Sequence, residues 1–210
     1  MSDHLILYTN PQSRGCIVRW MLEELGLSYR TEVLEYGEPM KTTEYLAINP
    51  MGKVPTLVHG ERIITEASAI CVYLAEVFPE SELAPMNDDE RASFYRWMFF
   101  AAGPMESAIV NKYIFGEEAG ADKQLMLGYG SYQLALDTLS KVIKSGPYIL
   151  GERFTAADVY IGAQLEWGLQ FGTIEKRIEF QEYVECLSKR EAFQRAHALD
   201  KALIEEVNEV

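Results

Sequence analysis

Basic residues are in short supply. Lysine and arginine number 19 against 32 aspartates and glutamates, a formal charge of −13 at pH 7. A chain this acidic lacks the field that grips nucleic acid or an anionic bilayer, so neither is expected as a partner. Any anionic ligand has to be held by local geometry. Cysteine is scarce as well: Cys16, Cys71 and Cys186 are an odd number at unrelated spacings. That excludes a disulfide framework and fits a reducing compartment. His4, His59 and His197 are never grouped with cysteine or carboxylate at ligand spacing, so no metal is expected. No apolar run approaches the length of a membrane span. The first four residues carry neither a basic region nor an apolar run, so no signal peptide is expected and the location is read as cytoplasmic. Internal repeats and low-complexity tracts are missing too.

What remains is globular composition, 48% hydrophobic and 24% charged, in 210 residues. That is enough for one large or two small domains. The stretch from Asn49 to Leu74, NPMGKVPTLVHGERIITEASAICVYL, is the densest in signals. It reads as a strand over 54–58, a turn at His59-Gly60-Glu61, and a returning strand over 62–64. A helix capped by Thr65 or Glu66 follows, with Ala69, Ile70, Val72, Tyr73 and Leu74 facing a core. Pro55 cannot donate to a ladder, so it belongs at an edge or a bend. There the Val54 backbone is available to pair with something extended. The helix start, with its unpaired N–H groups, suits a carboxylate.

Upstream, Leu5 to Tyr8 is a strand run and Asn10 to Gly15 a loop closing on a helix start. Ile17, Val18, Met21, Leu22 and Leu25 recur at helical spacing as far as Gly26. Residues 28–34 alternate like a strand, and 43–48 form a short helix ended by Asn49-Pro50. The order is β-α-β-α-β-β-α. Downstream, two prolines and the acidic run 87–90 break the periodicity, and everything after them reads helical. A long helix spans 91 to about 110 with a kink at Gly103-Pro104, and a second spans 122–144. Phe154-Thr155-Ala156-Ala157-Asp158 reads as a capping box, Thr155 with Asp158.

The segments G-K-V-P-T-L and T-E-A-S-A-I, the G-x-x-F-T-x-A-D pattern and the strand–loop–helix start resemble the cytosolic glutathione S-transferases, most nearly bacterial serine-type members. The resemblance implies an α/β thioredoxin-like domain over 1–80, a linker over 81–90 and an all-α substrate-binding domain over 91–210. It implies glutathione as co-substrate, an apolar electrophile, a role in detoxification and a two-fold homodimer with the helices of 91–110 near the axis. It also implies that Pro55 is cis, that the Val54 backbone binds the cysteinyl part of glutathione, and that Glu66 with the following residues holds the γ-glutamyl end. The usual serine after that acid is replaced by Ala67, with Ser68 one step on.

The chemistry to be supplied is a thiolate near neutral pH, which needs a hydroxyl donor or the positive end of a helix. Ser13 is the best-placed hydroxyl and also suits a plain helix cap on Gly15 or Cys16. Tyr8 and Asn10 are its rivals, Tyr8 equally suited to core packing. Arg14 lies beside the sulfur site. Lys41 or Lys53 would meet the glycyl carboxylate. Tyr95, Phe99, Met105, Ile109 and Tyr113, with Trp167, would line the electrophile side or pack as core. Two alternatives stand beside conjugation: a non-catalytic binding or scaffold protein of the same fold, and a glutathione-dependent reductase or dehalogenase that uses Cys16.

Overall fold

Leu5, Leu7 and Thr9 alternate with Ile6 and Tyr8, and the first set is buried. In the computed structural model, which describes residues 5–116 and 120–208, they form strand β1 (Leu5–Thr9). A right-handed crossover through α1 (Gly15–Leu25) is the usual route to a parallel neighbour, here β2 (Arg30–Val33). After α2 (Thr43–Ile48) the chain returns as a hairpin of β3 (Thr56–His59) and β4 (Arg62–Thr65), both ladders antiparallel. The sheet order is β2-β1-β3-β4, and α3 (Ala67–Val77) completes the module. The expected β-α-β-α-β-β-α order is what forms, a thioredoxin-like module. His4 lies outside the described residues, as does the rest of the stretch read for a signal peptide.

Two details differ from expectation. The third strand begins at Thr56, not Val54. Pro55 has no N–H to offer, so the ladder starts just past it. In α3 the core face is Ile70, Cys71, Leu74 and Ala75, while Ala69 is exposed and Val72 and Tyr73 are half-buried. A 3.6-residue period admits only one stripe, and the expectation took nearly every apolar residue in the run. On α1 the stripe is Ile17, Val18, Met21 and Leu22, each buried and each contributing roughly 1.5–3 kcal/mol by leaving water.

The remaining helices are α4 (Asp88–Phe100), α5 (Glu106–Tyr113), α6 (Ala121–Gln124), α7 (Tyr132–Ile143), α8 (Ala156–Phe171), α9 (Ile178–Ser188) and α10 (Glu191–Asn208). The kink expected at Gly103-Pro104 is a π turn over Ala101–Met105, where a residue with no N–H breaks the α-helical ladder. The helix expected over 122–144 is two pieces, α6 and α7, separated around Gly128 and Gly130. No described helix is long and apolar enough to cross a membrane.

By contacts the chain forms two compact units, Met1–Ser81 with Ser188–Val210, and Glu82–Leu187. In the first, α10 packs along α1. The second is centred on α8, all of whose residues from Ala156 to Ala163 are buried. There the Asp158 carboxylate takes the N–H and hydroxyl of Thr155 (2.8 and 3.1 Å), the N–H of Ile149 (2.7 Å) and the Tyr183 hydroxyl (2.7 Å). The capping box expected from the sequence is present, and Asp158 also ties in the loop before the helix and α9.

Candidate active site

Tyr8 pairs with Thr56, and Thr56 with Thr65. This register puts the end of β1, the start of β3 and the end of β4 in one row, neighbours about 4.8 Å apart. Three segments therefore open from the same end of the sheet: the loop Asn10–Arg14, the approach Lys53–Pro55 and the helix start Glu66–Ser68. Nine of the eleven sequence-derived site residues lie on them, with Tyr8 beside them in β1 and Lys41 on the stretch before α2.

In the first segment the Asn10 side chain is a structural clamp. Its Oδ1 accepts the Gln12 N–H at 2.9 Å and its Nδ2 donates to the Leu34 carbonyl at 3.0 Å. Ser13, buried, donates its hydroxyl to the Asn10 carbonyl at 2.7 Å and accepts the Gly15 N–H at 2.9 Å. It ties the loop to the first residue of α1 from one position ahead of the N-cap. The next two N–H groups are also taken, Cys16 by the Ser13 carbonyl and Ile17 by that of Arg14, both at 3.2 Å. Arg14 is exposed at the cap position and Cys16 is half-buried. Gly15 permits the approach of α1 to β1: a Cβ there would fall 1.8 Å from Thr9 Oγ1. Tyr8 lies on the opposite face of β1 from Thr9, its ring 5.5 Å from that of Tyr45 in α2.

The second segment is held by side chains that the sequence reading passed over. The Tyr45 hydroxyl donates to the Lys53 carbonyl at 2.6 Å, and the Asn49 amide to the same carbonyl at 2.8 Å. Both also meet Thr56 Oγ1, each at 3.0 Å. Burial pushes the Tyr45 hydroxyl above its ordinary value, so it stays a donor. In the sequence the Asn49-Pro50 dipeptide reads only as a helix stop. Lys41 donates to the carbonyls of Met51 and Gly52, both at 2.9 Å, which makes it a brace for this turn. Lys53 points its side chain outward and is exposed. The Val54-Pro55 bond is cis, and Val54, half-buried, stands outside the ladder that begins at Thr56.

In the third segment Glu66 precedes α3 with φ 66° and ψ 117°, a backbone region that non-glycine residues rarely enter. Its side chain is exposed and makes no cap. The first helical bond is Ile70 N–H to the Glu66 carbonyl, at 2.9 Å. The N–H groups of Ala67, Ser68 and Ala69 before it have no helical acceptor. The two helix starts thus differ: α1 is capped by its own loop and α3 is open. An open helix start receives a carboxylate, and the adjacent acid receives an ammonium. Together they suit the head group of an α-amino acid. A few ångströms across the row, the Val54 backbone suits a peptide.

Other candidates sort by burial. Cys71 is fully buried and its thiol is pushed up to about 12, which leaves no nucleophile at neutral pH. Of the residues assigned to the electrophile side, Met105 is fully buried in the core of the second unit, Tyr95, Ile109 and Trp167 are half-buried, and Phe99 and Tyr113 are exposed. The π turn breaks the single face that they were expected to share. Among the described residues, no group of three histidine, cysteine or acidic side chains is placed to hold a metal.

Comparison with known proteins follows the same lines. Residues 17–77 match the family model of the glutathione S-transferase N-terminal domain. The chain is 33% identical to glutathione S-transferase 1 of Dianthus caryophyllus, over 69% of this chain and 66% of that one. A glutathione transferase homolog from Sulfitobacter, solved with bound glutathione, superposes with a TM-score of 0.76 at 25% identity, over 95% of this chain and 99% of that one. A glutathione transferase from Methylococcus capsulatus gives 0.75 at 25% identity, over 94% and 99%. With the thioredoxin-like module, the helical second half and an open helix start beside a cis-proline, these likenesses have one reading: the chain belongs to the glutathione S-transferase superfamily.

Proposed function

We propose that this protein binds glutathione and transfers its thiolate to an apolar electrophile, in the manner of serine-type bacterial members. The observation that carries the reading is the open start of α3 at the same end of the sheet as Val54-Pro55. Glu66 takes the γ-glutamyl ammonium, the N–H groups of Ala67 and Ser68 its carboxylate, and the Val54 backbone the cysteinyl unit, like an added strand. The main-chain donor of residue 67 serves whether or not a hydroxyl follows it. Lys53, exposed beside this segment, meets the glycyl carboxylate and Arg14 lies beside the sulfur; Lys41 acts through the turn it braces.

Ser13 activates the thiol. Its hydroxyl now donates to the Asn10 carbonyl, so it turns from that acceptor to the sulfur when glutathione binds. The protein works as a cytoplasmic homodimer in the removal of electrophiles. Titration calorimetry with glutathione, followed by conjugation of an aryl halide, tests the reading. Binding with turnover supports it; very weak or absent glutathione binding gives the scaffold alternative, which Ala67 in place of the usual serine favours. Turnover abolished by alkylating Cys16 gives the reductase alternative.

A further inference from the structure

The helix that presents Ser13 at its start is gripped along its flank by the last helix of the chain. Two ion pairs join α1 to α10, and a third joins it to the turn just before α10, in antiparallel order: Arg19 with Asp200 at 2.7 Å, Glu23 with Arg195 at 3.1 Å, and Glu24 with Arg190 of the turn at 2.7 Å. Trp20 meets Phe193 edge-on at 4.9 Å, and Phe193 stacks on His197 at 4.1 Å. The pair nearest the Ser13 end is the buried one, with Arg19 2% and Asp200 10% exposed. Its guanidinium reaches a third element as well, Nη1 lying 3.3 Å from both the Tyr29 hydroxyl and Thr31 Oγ1 of β2. Nη2 is buried with no acceptor among the described residues. Tyr29 and Glu23 face the pair from its own side and His197 from α10.

As a source of stability this arrangement is poor. Apolar residues of the same size hold two helices at least as well as a buried ion pair, without a stranded donor. What the fork supplies is register. It fixes the rotation and axial position of α1 against β2 and α10 together. The Asn10–Ser13 loop is anchored to the same frame, through Asn10 to Leu34 just past β2. We propose that Arg19 and Asp200 are positioning residues for the thiol chemistry: the C-terminal helix sets the orientation of α1 and, through it, the aim of Ser13 at the glutathione sulfur. The inference rests on the transferase reading above. It separates two functions, because in the proposed function the peptide of glutathione is held by Val54, Glu66 and the start of α3, while the hydrogen bonds of Arg19 go to Asp200, Tyr29 and Thr31.

The test uses the full-length protein and its Asp200→Asn variant. Arg195→Ala, which removes the α1–α10 pair with an exposed arginine, is the stability control. Asp200→Asn is expected to lower kcat about tenfold and raise the pKa of bound glutathione thiol, read from thiolate absorbance, by about one unit. Glutathione Kd should stay within about twofold and Arg195→Ala should shift neither readout. A loss of kcat no larger than in Arg195→Ala, or one shared by Kd, would overturn the proposal. If Asp200→Asn does not fold, Arg19→Lys keeps the charge but loses the fork, and the same split is required of it. No thiolate signal in the unaltered protein sinks the transferase reading and this one with it; a normal signal that the variants leave unmoved sinks only this one.

Discussion

Glu66 is asked to do two things that conflict. As a non-glycine residue at φ 66° and ψ 117° it costs the fold roughly 1–3 kcal/mol of backbone strain. In the proposed function its carboxylate, beside an open helix start, takes an ammonium, worth roughly 1.5–3 kcal/mol. Glu66→Ala should therefore weaken glutathione by about 10- to 100-fold, measured calorimetrically, while keeping the strain. Glu66→Gly should lose the same affinity and raise the melting temperature relative to Glu66→Ala, because glycine enters this region freely. Equal melting temperatures would mean that the position is not strained. Ser13→Ala tests the neighbouring segment. It removes the acceptor of the Gly15 N–H, at about 1 kcal/mol of stability, and is expected to cut turnover by about 10- to 1000-fold with glutathione still bound. Unchanged turnover would move the role to Tyr8 or to a main-chain donor. The places of Val54-Pro55 before a strand and of Glu66 before a helix were legible in the sequence, because a proline in a strand run and a helix start announce themselves locally. The bonds of Lys41 to the Met51 and Gly52 carbonyls were not, since they depend on where a loop ten residues later returns.

The helix α8 shows what a single element owes to one side chain. Burial pushes the Asp158 carboxyl up to about 6 against four donors that hold it down, while the same group in the unfolded chain titrates near 3.8. The folded state thus holds the proton more tightly between these values. The contribution of this group is complete below about pH 4 and falls as pH rises through 6, by about 3 kcal/mol. Glu179 runs the other way. The Ser140 hydroxyl, assisted by Lys144, holds it down to about 2, so its contribution is present above 4.5 and is lost as pH falls toward 2. Urea unfolding should show the first slope between pH 4 and 7, and Asp158→Asn should abolish it. That variant should also be destabilised by about 2–4 kcal/mol, since an amide turns an N–H toward groups that are themselves donors. The capping box was readable because its two partners lie three residues apart. The break between α6 and α7 was not, since glycine inside a periodic stretch is tolerated as often as it ends one. Nor was the pairing of α1 with α10, which joins residues 181 positions apart.

At the scale of the molecule, the charge of −13 leaves association to apolar surface. Phe99 on α4 and Ile63 on the edge strand β4 are exposed apolar residues, as an assembly of two copies would use. Light scattering at micromolar concentration is expected to give twice the chain mass of 23.8 kDa; a single chain mass would exclude the dimer. The division of the chain has a consequence for its synthesis. The unit begun at residue 1 is completed by Ser188–Val210, while the unit of Glu82–Leu187 is continuous. On a ribosome the first unit to emerge is then the last to finish. A nascent chain halted after residue 187 would hold α1 without Phe193 and Asp200, the partners of Trp20 and Arg19 in α10.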